Sequence, residues 1–225
     1  MTTVAQVRHL LKPLLSRHSD LALVGRFLII KPVHHIMRGV FVDRCGEPNE
    51  FVPTKVVDIL FRSRRMFTLG WGGRVTSSTF RTWDIANPEA IGVMTQMIEH
   101  EVLPELRAIT SFDDFAAFAS IKRPLENSLE RDVFTRMLLA VAEGNFEEAR
   151  NLWCNDPATF PATAAKSPSF YTALRQEDRA ELARIMHQWE AQMIATFKLE
   201  KVWEPTPFPL ELEDAPPVRP PPGPG

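Results

Sequence analysis

The hydrophobic pattern changes period along the chain. Between residues 21 and 83, apolar and polar residues alternate in short runs broken by turn-forming residues, the pattern of strands and tight connections. On both sides the spacing lengthens to the three and four residues of a helix. In residues 3–17, Val4, Val7, Leu11 and Leu14 form one stripe with Leu10 and Leu15 beside it, and Pro13 predicts a kink or a restart. This stripe is expected to lie on a sheet.

Residues 21–31 read as the first strand, and its tail Phe27-Leu28-Ile29-Ile30 is apolar on both faces, as in a strand buried on two sides. Residues 34–44 form the second, with Ile36, Val40 and Val42 on one parity and His35, Met37, Phe41 and Asp43 on the other. A turn follows over residues 45–50. Residues 51–62 form the third, with Val57, Ile59 and Phe61 opposed to Val56, Asp58, Leu60 and Arg62; Pro53 confines its start to an edge position. Residues 66–71 predict a fourth strand with Phe67, Leu69 and Trp71 aligned, and residues 80–83 a short fifth. The predicted fold class is α+β: an antiparallel meander of four to five strands flanked by helices and followed by a helical C-terminal part.

Asn87-Pro88-Glu89 reads as a helix start, with Ile91, Met94, Ile98 and Val102 on one face and Pro104 as a kink or end. A second start follows at Ser111-Phe112-Asp113-Asp114. Residues 1–121 are thus expected as the sheet domain and 125–198 as a helical subdomain packed on it. Within the latter, Leu129, Val133, Met137 and Val141 line one helix and Phe146, Ala149 and Trp153 the next, across a Gly144-Asn145 turn. A long helix then carries Leu182, Ile185, Met186, Trp189 and Met193. Residues 199–213 hold Pro205, Pro207 and Pro209, which forbid a helix; Trp203 and Phe208 between and beside them predict an extended strap docked across the body. Residues 214–225 are proline-rich and expected to be disordered.

Composition narrows the chemistry. The chain has 225 residues, 44% of them hydrophobic, and a net charge of −2, so a sizeable core is affordable and no overall field favours nucleic acid or an anionic membrane. No run reaches the length of a membrane span. Cys45 and Cys154 are far apart and lack ligand-like neighbours, which points to a reducing cytoplasm. His34 and His35, placed on a strand, point to opposite faces and do not share a metal. His100-Glu101 has no second histidine at 104, which is Pro. Gly70-Trp71-Gly72-Gly73-Arg74 with the hydroxyls of residues 76–79 lacks the Lys-Ser or Lys-Thr ending of a phosphate loop, so a turn is the favoured reading. Asp113-Asp114 and Glu147-Glu148 sit at helix starts, where the helix dipole accounts for them. No catalytic set, metal site or cofactor is predicted.

The order of elements resembles a known family. A helix, the Arg26-Phe27 strand, three more strands, and a helix running into Val102-Leu103-Pro104 and Ser111-Phe112-Asp113 are similar to a bacterial family catalogued as domain of unknown function 4304. The resemblance covers residues 3–120 and implies a compact α+β domain without assigned catalytic residues. The segment from Gly144 to Arg150 resembles the turn and second helix of a tetratricopeptide repeat, in a single copy.

Two functional expectations follow. The first is a non-enzymatic interaction module of immunity or adaptor type, binding an acidic protein partner through Arg62, Arg64, Trp71 and Arg74, since arginine and tryptophan are enriched at binding hot spots. The second is a small-ligand-binding protein or enzyme using the glycine-rich loop 70–79 with His35. A deep pocket joining His35, Arg64 and Trp71 would favour the second, and a flat or convex face the first.

Overall fold

The structure is a computed structural model and describes residues 3–62, 71–121, 129–155 and 167–212. An antiparallel sheet lies between two layers, as the sequence predicts. Its path runs β1 (Leu21–Val24), β2 (Phe27–Ile30), β3 (Ile36–Arg44), β4 (Glu50–Ile59) and β5 (Gly73–Arg74), with β6 (Trp83–Asp84) also against β4. The long β3–β4 pair runs in register from Ile36 opposite Ile59 to Arg44 opposite Phe51.

The expected first strand is a hairpin. Val24 pairs with Phe27 across Gly25-Arg26, and Gly25 adopts φ +59°, which only glycine adopts freely. The expected fourth strand lies mostly in residues 63–70, outside the described residues, as does the proline-rich tail. Pro53 sits inside β4, yet its missing donor costs no ladder bond. Val42, its partner, donates its N–H away from β4 to Arg26 O at 3.0 Å, so Pro53 is in a non-hydrogen-bonded pair. Its nitrogen faces the outer side, between the short β6 and β5 pairings, where its carbonyl accepts from Val75 N–H at 2.7 Å.

Alternation buries both faces of the sheet. Leu28, Ile30, Val40, Val42, Phe51, Val57, Ile59 and Phe61 join the main core, while Ile29, Met37, Val56 and Leu60 join a smaller cluster on the other side. Over the first face pack α1 (Val4–Arg17), α2 (Pro88–Met97), α3 (Leu103–Arg107) and α4 (Phe112–Ser120). Pro13 neither ends nor restarts α1; it lies on the exposed side, where water can serve the freed carbonyl. Pro104 does not end its helix either. A π-helical turn, Ile98–Val102, precedes it and joins α2 to α3, with Leu103 N–H bonded to Ile98 O.

The C-terminal part continues the same core through α5 (Val133–Ala142), α6 (Phe146–Asn155), α7 (Pro168–Gln176) and α8 (Arg179–Phe197). Gly144 at φ +78° ends α5, and the Asn145 side chain caps α6 through Glu148 N–H. Helix α8 serves both faces: Leu182, Ile185 and Met186 enter the main core, and Met193 and Ile194 the second cluster. The chain then returns as the expected strap. Val33 N–H donates to Val202 O at 2.8 Å and Glu204 N–H to Val33 O at 2.9 Å. Phe208 is fully buried; Trp203 is only partly so.

Candidate functional site

The strap meets the start of β3 and the middle of α8 at His35. Regular strand begins only at Ile36, so His34 and His35 precede it and line one cavity instead of pointing to opposite faces. The His35 ring is buried and stacks on Phe208 with centroids 4.0 Å apart. Its Nδ1 lies 2.9 Å from Glu190 Oε1, and its Nε2 lies 3.1 Å from Thr206 Oγ1 and 3.3 Å from Pro207 O. Glu190 is almost wholly buried, and its second oxygen lies 3.4 Å from His187 Nδ1. His187 Nε2 in turn lies 2.9 Å from Glu211 Oε2, which accepts from Phe208 N–H at 2.7 Å. Carboxylates and imidazoles thus alternate from β3 to the end of the strap. A buried carboxylate needs such partners to offset its desolvation.

Beside His35 opens a cavity of about 390 Å³, lined by His34, Arg38, Ile109, Phe112, Glu143 and Thr206 among others. Arg38 reaches it from β3. Its Nη1 donates to Ile109 O at 2.6 Å, while its Nε is buried without an acceptor. Burial depresses the Arg38 guanidinium below its ordinary value. Glu143 caps the C-terminal end of α5. Burial, then the charges of Asp113 and Glu148, push its carboxyl up to about 7. Asp113 lines the same cavity, on the first turn of α4. Ser111 and Asp114 are occupied by the capping box of that helix, and hydrogen bonds from the Thr110 N–H first, then from Ser111 and the Thr110 hydroxyl, hold the Asp114 carboxyl down at about 2.

A second depression, about 780 Å³, lies between α8 and the end of the strap. It is the larger, but its charged side chains are partnered within the chain. Arg179 donates to Leu210 O and stacks over Phe146, and Arg184 makes a two-pronged pair with Glu181. The smaller cavity is therefore the better candidate.

The residues expected to form an arginine–tryptophan surface are placed differently. Arg62 Nη1 donates to Asp132 at 2.7 Å and to buried Thr135 Oγ1 at 2.5 Å, and the guanidinium lies over Trp71 and Phe134. Trp71 is buried, edge-on to Phe115. Both therefore tie the sheet to α4 and α5 instead of presenting an open face, because a desolvated guanidinium finds its carboxylate inside the chain. Arg74 is exposed on β5, and Arg64 lies outside the described residues. The described part of loop 70–79 does not line the His35 cavity. Its glycine serves packing: a Cβ at Gly72 would fall 1.4 Å from Lys55 O.

Arg38, Glu143, Glu190 and Thr206 were not singled out in the sequence. Arg38 carried the one available signal, a charge at an inward-parity position of a mostly apolar strand. Among the described residues no group of three His, Cys, Asp or Glu is arranged to hold a metal, and no helix is long and apolar enough to cross a membrane. Cys45 and Cys154 are free thiols. In comparisons with known proteins, no family model, curated protein or solved structure matches the chain.

Proposed function

We propose that the chain is a small-ligand-binding protein whose site is the cavity between β3, α4, α5 and the strap. One observation carries this reading: the Arg38 guanidinium and the Glu143 carboxyl, neither of them in an ion pair among the described residues, line one cavity. Its volume of about 390 Å³ fits the size of small-molecule sites. Charged groups held partly out of water without a counter-charge are costly, and a ligand supplying the missing partners recovers that cost. The test is a ligand-observed NMR fragment screen with the wild type and with Ile109→Phe, which fills the cavity wall. Hits that bind the wild type and fail on a folded Ile109→Phe support the reading. Hits indifferent to the substitution, or none at all, overturn it.

A second reading, an enzyme, is favoured by the Thr206–His35–Glu190 series. A hydroxyl, an imidazole and a buried carboxylate at 3.1 and 2.9 Å stand as nucleophile, base and orienting group do in covalent catalysis. Covalent labelling by a fluorophosphonate that Thr206→Val abolishes and Thr206→Ser restores supports it; absence of labelling refutes it. Kinship with the domain of unknown function 4304 family is likewise a proposal, supported by the order of α1, the meander, α2, α3 and α4.

A further inference from the structure

We infer that the cavity takes a small zwitterion of the free amino acid type, its carboxylate on Arg38 and its ammonium on Glu143 and Asp113. This rests on the ligand-binding reading and specifies its ligand.

The two poles of the cavity differ in sign. At one, the Arg38 guanidinium lines the wall, donates to Ile109 O and has no carboxylate in an ion pair with it among the described residues. A guanidinium in that state answers a carboxylate, whose two oxygens match its planar donors. At the other, the Glu143 carboxyl has no ion-pair partner among the described residues, while Asp113 shares the cavity wall. The charge of Glu148 also reaches Glu143, and as the cap of α5 Glu143 stands where that helix presents its negative end. Burial first, and then this concentration of negative charge, raise the Glu143 carboxyl, and an ammonium group relieves the second cause.

A ligand with one charge satisfies one pole only. An anion on Arg38 would bring a further negative charge beside Asp113 and Glu143. A cation at the carboxylates would leave the Arg38 guanidinium without a counter-ion. The remaining wall is half apolar, with Ile36, Ile109, Phe112, Pro207 and Pro209, and holds no further carboxylate, lysine or arginine, so it suits an uncharged side chain. Because Thr206, Pro207 and Pro209 belong to the strap, a bound ligand touches the strap as well as the body.

The experiment is isothermal titration of the full chain with L-leucine, L-methionine and L-phenylalanine. Each is compared with its N-acetyl derivative, which keeps only the carboxylate, and its amide, which keeps only the ammonium. At least one free amino acid is expected to bind, and both of its single-charge derivatives to bind at least about tenfold more weakly, equivalent to about 1.4 kcal/mol. Arg38→Gln should erase the discrimination against the amide, and Glu143→Gln should weaken that against the N-acetyl derivative. The derivative series on the wild type remains decisive if a variant fails to fold. A single-charge derivative that binds as tightly as the amino acid overturns the inference. So does silence of all three amino acids. If fragments still bind the cavity in either case, the ligand-binding reading survives; if fragments also fail, both fall.

Discussion

Phe208→Ala should test how firmly the strap is docked. The Phe208 side chain is fully buried and sits between the imidazoles of His35 at 4.0 Å and His187 at 4.6 Å, edge-on to Phe61 at 5.1 Å. Truncating a buried phenylalanine costs about 3–5 kcal/mol, from lost transfer energy and the cavity left behind. Ring stacking accounts for about 0.5–1.5 kcal/mol beyond burial, so Phe208→Leu, which keeps most of the volume, should cost about 1–2 kcal/mol. For a chain of this size each kcal/mol lowers Tm by about 2–4 °C, so Phe208→Ala should melt about 6–20 °C below the wild type. Urea unfolding followed by tryptophan fluorescence provides the free energy, and a scanning melt the temperature. A loss below about 1 kcal/mol for Phe208→Ala would mean that the strap contributes little to the fold. The cavity wall it forms would then be a loose one, and the site as described would fail.

Three further outcomes are expected. Arg62→Ala should destabilise the chain by about 2–4 kcal/mol in denaturant melts, because Asp132 and the buried Thr135 hydroxyl lose their shared donor; no loss would restore Arg62 to an open surface. Glu143 is raised from 4.5 to about 7, so between those values the folded chain keeps a proton that the unfolded chain has lost, and stability falls as pH rises through that window. Glu143→Gln removes this penalty: matched to the wild type near pH 4, it should be about 1–2 kcal/mol the more stable near pH 8 once partial exposure is discounted, and a constant difference across pH would refute the assignment. Gly72→Ala should cost about 3 kcal/mol or more in the same melts, since its Cβ would occupy the place of Lys55 O and push β5 off β4; a neutral effect would show that β5 is free to shift.

Local order was legible in the sequence wherever the physics is local. Alternation along β3 and β4 and helical spacing along α2, α5 and α8 follow from two fixed geometries, so residues such as Val40, Val57, Met94 and Leu182 announce their burial by position alone. Caps did the same at Asn87 and Ser111. The reading erred where local signals compete. The apolar run through Ile30 concealed the turn at Gly25. Of the kink or restart expected at Pro13 and the kink or end expected at Pro104, the restart and the end do not occur, because the solvent-facing carbonyl and the π-turn that accommodate these prolines depend on surroundings. The strap was legible as an apolar, proline-broken segment, but its landing place was not. The site itself belongs to tertiary structure. His35 meets Glu190 across 155 positions of chain, and Arg62 meets Asp132 across 70. No spacing rule relates such residues. Which arginine is paired and which is left facing a cavity depends on the close approach of elements distant in sequence, and that is decided by packing of the whole core.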